Sequence, residues 1–83
     1  MHTVATIRNL DYKLIKETFG PSNYASDKDD GWEIITDNGF EIIIGGIDGL
    51  NWEISAEADE QNAAMTFVRN AFPSLGRFDV TAY

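Results

Sequence analysis

The chain has 83 residues, 43% of them hydrophobic and 12% aromatic, which predicts one small folded domain spanning residues 1–83. It contains no cysteine, which excludes disulfides and thiolate metal sites, and no stretch approaches the ~20 apolar residues of a membrane-spanning helix. Fourteen acidic and six basic residues give a net charge of −8, which disfavours direct binding to nucleic acid or to an anionic membrane surface.

The first predicted element is a helix within residues 4–19. Apolar residues recur at nearly helical spacing up to Phe19, and Gly20-Pro21 is typical of the end of a helix. The β-branched residues of TVATI, residues 3–7, leave a second interpretation open, in which a short strand comes first and Asn9 caps a helix that starts at Leu10. Residues 21–31 have the composition of a loop.

The segment WEIITDNGFEIII, residues 32–44, predicts a β-hairpin, because two apolar runs flank Asn38-Gly39. A two-residue turn places Ile35 opposite Ile42 and gives the hairpin two partly apolar faces. We expect a partner to cover one of them, since so short a chain has little left to cover both. One face is predicted to carry Ile35, Phe40, Ile42 and Ile44, and the other Trp32, Ile34, Ile43, Thr36 and Glu41.

The second half of the chain predicts a strand, a helix and a last strand. The segment LNWEIS alternates as a half-buried strand with Leu50, Trp52 and Ile54 inward and Asn51, Glu53 and Ser55 outward. Residues 57–71 predict an alanine-rich helix, with Ser55 as its cap and Pro73 beyond its end. The tail GRFDVTAY alternates as a strand. The inward stripe of the helix is predicted to be Gln61, Ala64, Met65, Val68 and Phe72.

These elements predict an α+β fold. Its antiparallel sheet has three to four strands, in the order αβββαβ, and packs against two helices.

Groups able to carry catalysis are scarce in this sequence. His2 is the only imidazole and adjoins the initiator methionine, and there is no thiol, so we expect no catalytic residue and no enzyme activity. We also expect no cofactor. Gly45, Gly46 and Gly49 are interpreted as a turn rather than a phosphate cradle, because Asp48 lies among them and repels phosphate.

The segment SDKDDGWEIITD invites comparison with a calcium loop. With Gly31 at the sixth position, Ser26 and Lys28 fall at the first and third, where such a loop needs oxygen-rich ligands. No metal site is therefore predicted, and a solvated loop is favoured. Weak binding of a divalent cation by the aspartates 27, 29 and 30 stays open as the alternative.

The acidic residues are concentrated in the middle of the chain. Residues 21–64 hold eleven of the fourteen acidic residues and one of the six basic ones. This distribution fits either a solvated face that serves solubility or an anionic surface that binds a basic protein. For the second interpretation Trp32 is the predicted apolar anchor, and the predicted partner-binding carboxylates are Asp27, Asp29, Asp30, Asp37, Glu41, Asp48 and Glu57.

The GWEIITDNGF hairpin, the focused acid and the small cysteine-free chain resemble, at the level of class, the phage-encoded anti-CRISPR proteins and related DNA mimics. The resemblance implies a stoichiometric inhibitor in the host cytoplasm that occupies the basic, nucleic-acid-binding surface of a host defence complex. The alternative is a general protein-interaction or immunity-type module whose acid serves solubility. Neither interpretation fixes the oligomeric state.

Overall fold

The computed structural model describes residues 1–25, 30–47, 50–73 and 78–80. They form an α+β fold, which confirms the predicted class. A short 3₁₀ helix, Ala58–Glu60, leads directly into the second α-helix. The elements in chain order are β1 (His2–Ile7), α1 (Tyr12–Phe19), β2 (Tyr24–Ala25), β3 (Asp30–Ile35), β4 (Glu41–Gly46), β5 (Trp52–Ala56), α2 (Gln61–Ala71) and β6 (Phe78–Val80).

The described strands form one antiparallel sheet in the order β2-β3-β4-β5-β1-β6. Two of them, β1 and the two-residue β2, extend the predicted three- to four-stranded sheet. Because residues 2–7 form β1, the chain begins with a strand rather than a helix, which confirms the second interpretation of TVATI. The tail contributes β6 as predicted, and this strand pairs with β1.

A bulge in β1 explains why its sequence does not alternate. Thr3 pairs with Ser55 and Ala5 pairs with Ile54, so Val4 is an extra residue without a cross-strand partner. Val4 and Ala5 are consequently both buried, although they are neighbours in sequence. Ser55 lies within β5 and is therefore not the cap of the second helix, as the sequence had suggested.

Helix α1 begins at Tyr12, eight residues after the first predicted start and two residues after Leu10, the start in the second interpretation. Asp11 is its N-cap, and the Asp11 carboxylate accepts a hydrogen bond from the Lys13 N–H at 2.9 Å. Asn9, the predicted cap, lies in the connection before it with a φ of 60°. The helix ends as predicted at Gly20, whose φ is 83° and whose N–H donates to the Lys16 carbonyl at 2.8 Å.

The predicted β3–β4 hairpin is present, but its loop has three residues rather than two. The Gly39 N–H donates to the Thr36 carbonyl at 2.8 Å, and the Thr36 N–H donates to the Phe40 carbonyl at 3.0 Å. Gly39 has a φ of 85°, as in a turn followed by a left-handed glycine bulge. Ile34 therefore lies opposite Ile42, one residue away from the predicted register.

A shift of one residue exchanges the two faces of a strand, so the predicted faces of the hairpin were wrong. Trp32 is 0% exposed and lies in the core, so it cannot be the exposed anchor that was predicted. The buried face of the hairpin carries Trp32, Ile34, Thr36, Phe40, Ile42 and Ile44. The opposite face carries Glu33, Ile35, Glu41 and Ile43.

Helix α1 packs on the buried face of the sheet through aromatic contacts. The centroid of the Tyr12 ring lies 5.6 Å from that of Trp32 and 6.2 Å from that of Trp52. The indole N–H of Trp52 donates to the Leu10 carbonyl at 2.7 Å, so this polar group is satisfied within the core. Leu50, predicted to face inward, lies before β5 and is 54% exposed.

Helix α2 covers the rest of the same face. Its residues Ala64 and Val68 are buried, as is Phe72 just after it, which confirms the centre of the predicted inward stripe. The Gln61 side-chain amide donates to the Val4 carbonyl at 3.0 Å and ties the start of the helix to β1. Both helices thus lie on one side of the sheet.

Gly39→Val is expected to lower the free energy of unfolding by about 1–2 kcal/mol, because a side chain disfavours the left-handed conformation that Gly39 adopts. Urea unfolding measures the loss. Gly39→Asn is the control and should cost less, since asparagine enters this region more readily. Equal stability of the valine variant and the parent chain would contradict the loop geometry.

Candidate protein-binding face

The side of the sheet opposite the helices carries no covering element among the described residues. We call this side the outer face and define it by the residues that alternate with the buried ones along the strands. Its members are Thr3, Thr6, Tyr24, Gly31, Glu33, Ile35, Glu41, Ile43, Gly45, Glu53 and Ser55.

Acidic and apolar side chains alternate in the hairpin part of the outer face. Glu33 pairs with Ile43, and Ile35 pairs with Glu41, so each isoleucine has a glutamate beside it on the neighbouring strand. Ile35 is 62% exposed, more than any other large hydrophobic residue that the structure describes. Apolar side chains set among carboxylates provide both contact area and charge for a partner.

The outer face is also acidic because three of the described positive charges lie on the helix side of the sheet. None of its described residues is a lysine or an arginine. Lys13 and Lys16 lie on α1 and Arg69 on α2, all on the helix side, while Arg8 follows the end of β1. The glutamates 33, 41 and 53 therefore give the outer face a negative potential of its own.

Three of the predicted partner-binding carboxylates are at the hairpin-loop end of the sheet. Asp37 is exposed in the loop, and Glu41 is half-buried at the start of β4. Glu57 follows β5 at this same end, because Ser55 pairs with Ile43, and its carboxylate lies 3.6 Å from the N-terminal ammonium group. Asp37 and Glu57 border the outer face, whereas Glu41 is a member of it.

The other predicted site residues do not join this cluster. Asp30 begins β3, where its backbone pairs with Ala25, and Trp32 is buried beneath the helices. Asp27, Asp29 and Asp48 lie outside the described residues.

Sequence reasoning missed several residues at the centre of the outer face. Glu41 was predicted as a partner-binding residue, but a three-residue hairpin loop would also have placed Glu33, Ile35 and Ile43 beside it, so the signal was present in the alternation of the two strands. Glu53 was correctly predicted to point away from the core but was not connected with the hairpin. No sequence pattern indicated the strand β2.

A row of residues across the outer face contains a depression. Tyr24, Gly31, Gly45 and Glu53 are cross-strand neighbours in this order. A Cβ placed on Gly31 would lie 3.1 Å from Tyr24 Cδ1, so the tyrosine ring stands directly beside this glycine. A Cβ placed on Gly45 would meet no atom within 4 Å from the rest of the described chain, its two sequence neighbours aside. We call this open site, between Tyr24 and Glu53, the Gly45 depression.

Side chains of the preceding segment close the outer edge of β3. The Asn23 carboxamide accepts from the Glu33 N–H at 2.7 Å and donates to the Glu33 carbonyl at 3.1 Å. The Ser22 hydroxyl accepts from the Gly31 N–H at 3.0 Å and donates to the Gly31 carbonyl at 2.6 Å. At Gly31 these bonds add to the pairing with β2, and at Glu33 they take the place of a strand partner on this edge.

Within the described ranges, no three histidine, cysteine or carboxylate residues lie close enough together to hold a metal ion. No helix in the described part of the chain is long and apolar enough to cross a membrane. The outer face, where exposed Ile35 lies among carboxylates, is the candidate functional site.

Comparison of the chain with protein-family models, with curated proteins and with solved structures finds no match.

Proposed function

We propose that this chain is a small acidic protein-binding inhibitor that occupies a basic, nucleic-acid-binding surface of another protein. The observation that supports the proposal is the outer face, where Glu33, Glu41 and Glu53 accompany two accessible isoleucines and no described residue is basic. A groove that binds nucleic acid presents lysine and arginine to phosphates, and carboxylates can take the place of those phosphates. The class resemblance suggests a CRISPR-type complex in the host cytoplasm as the target.

Exposed Ile35, with half-buried Ile43 on the same face, favours this proposal over an acidic surface that serves solubility alone. A solubilising surface gains nothing from Ile35, whose side chain exposes most of its area to water. In a complex, burial of Ile35 and Ile43 would slow dissociation, while the surrounding glutamates would speed association. The function requires neither a catalytic group nor a cofactor.

The test measures binding to purified, guide-loaded CRISPR effector complexes, with competing target DNA in a second series. The triple variant Glu33→Gln, Glu41→Gln, Glu53→Gln is expected to weaken binding by about tenfold or more at about 50 mM salt, mainly through slower association. The matched control, Glu17→Gln, Asp59→Asn, Glu60→Gln, removes the same charge from the helix side and should change affinity by less than about twofold.

Salt provides an independent measurement on the same complexes. Affinity should fall steeply between about 50 and about 500 mM salt, because exposed ion pairs are screened over ~10 Å at 0.1 M. Ile35→Ser should raise the dissociation rate at both salt concentrations. If affinity changes neither with salt nor in the outer-face triple variant, charge mimicry is rejected. A general protein-interaction module then remains as the function.

A further inference from the structure

We propose that the Gly45 depression receives an arginine side chain of the partner. This inference rests on the proposed function, which it deepens by naming the residue type that the outer face recognises. Three features of one cross-strand row support it: the uncovered backbone at Gly45, the aromatic ring of Tyr24 and the carboxylate of Glu53.

The spacing of the strands in this row leaves room for a planar group oriented perpendicular to the sheet. Neighbouring strands are about 4.8 Å apart. Gly31 and Glu53 lie on the strands on either side of Gly45, so the distance between their backbones across the sheet is about 10 Å. The Tyr24 ring rises beside Gly31, while among the described residues no atom outside the chain neighbours of Gly45 lies within 4 Å of a Cβ position on Gly45. A side chain can therefore reach the backbone of β4 between the ring and the carboxylate.

Arginine suits the Tyr24 ring and the Glu53 carboxylate better than lysine does. Its guanidinium stacks on an aromatic ring and pairs with a carboxylate through two parallel N–H donors, whereas an ammonium acts as a compact, strongly hydrated charge. Ile43 lies two residues before Gly45 on the same face of β4 and offers apolar contact for the arginine methylene groups. The acidic outer face supplies the attraction for a cation.

The test uses two peptides of equal charge, acetyl-hexaarginine amide and acetyl-hexalysine amide, measured by calorimetry and by amide chemical shifts. The arginine peptide is expected to bind about fivefold more tightly, as one exposed stacking contact allows. Its largest shift changes should lie at Tyr24, Gly45 and Glu53. Larger changes on the helices than on this row would overturn the assignment.

Gly45→Val fills the depression and should abolish the preference for arginine. The matched control is Ser55→Val, which adds an apolar side chain to the same face beside Ile43 and should keep the preference. Thermal melting checks that both variants fold. Tyr24→Leu, which covers Gly31 without an aromatic face, should also remove the preference while leaving the binding of hexalysine unchanged.

The outcomes separate this inference from the proposed function. If both peptides bind the parent chain equally, or if Gly45→Val keeps the preference, the arginine site is refuted. A salt-dependent loss of binding in the outer-face triple variant would still support the acidic docking surface in that case. If neither peptide binds and effector complexes also fail to bind, both proposals fall.

Discussion

Trp32→Ala is expected to lower the free energy of unfolding by about 3–5 kcal/mol, which is enough to unfold much of a small domain. The side chain is completely buried, and its indole N–H donates to the Gly20 carbonyl at 2.8 Å. Its ring centroid lies 5.7 Å from that of Trp52. Truncation therefore opens a cavity between α1 and the hairpin and leaves a carbonyl at the helix end without its donor.

Urea unfolding followed by circular dichroism and by Trp52 fluorescence measures this loss. Trp32→Phe is the control and should cost less than half as much, because it keeps most of the ring packing and loses the hydrogen bond. A folded Trp32→Ala variant with the stability of the parent chain and a specific loss of partner binding would restore Trp32 as an interface residue. If Trp32 is a core residue, the main effect of Trp32→Ala is instead the loss of stability, and any loss of partner binding follows from it.

Gly31→Ala and Gly45→Ala are expected to change stability in opposite directions, although the two glycines pair across adjacent strands. A Cβ on Gly31 would lie 3.0 Å from the Ile44 carbonyl oxygen and 3.2 Å from the Tyr24 carbonyl oxygen. Backbone oxygens in a sheet cannot move away easily, so Gly31→Ala should cost about 1–3 kcal/mol. Gly45→Ala meets open space and should stabilise by about 0.5 kcal/mol, since alanine loses less entropy on folding.

Denaturation midpoints of the two variants, measured under one condition, give the comparison directly. Each variant serves as the control for the other, because both replace a glycine by alanine on the same face of the same sheet. Equal effects at the two positions would show that Tyr24 does not stand against Gly31, and the Gly45 depression would then lack one of its walls.

The hairpin shows where sequence reasoning succeeded and where a physical constraint was overlooked. Asn38-Gly39 correctly located the turn, but the same dipeptide fits a two-residue loop and a three-residue loop that ends in a left-handed glycine. The two-residue register would have placed Glu33 on the same face as Ile42 and Ile44. Burial of that carboxylate without a partner is costly, and the observed register leaves Glu33 exposed.

The first strand and the candidate site could not be predicted from local sequence alone, because both depend on contacts between distant parts of the chain. TVATI is compatible with a helix or a strand, and its pairing with both β5 and β6 makes it a strand. Composition correctly indicated an acidic surface segment. The depression at Gly45 was not predictable, because it depends on Tyr24 entering a two-residue strand beside Gly31.

The Asn23 carboxamide determines the direction from which a partner can approach. Because it occupies both backbone groups of Glu33, another chain cannot lengthen the sheet at this position by main-chain pairing. In the proposed complex the partner therefore contacts the outer face through its side chains rather than by pairing at Glu33. Backbone pairing tolerates most substitutions in a target, whereas a contact through side chains does not. Under the proposed function, a target protein could then escape this chain by exchanging very few residues while keeping its own fold.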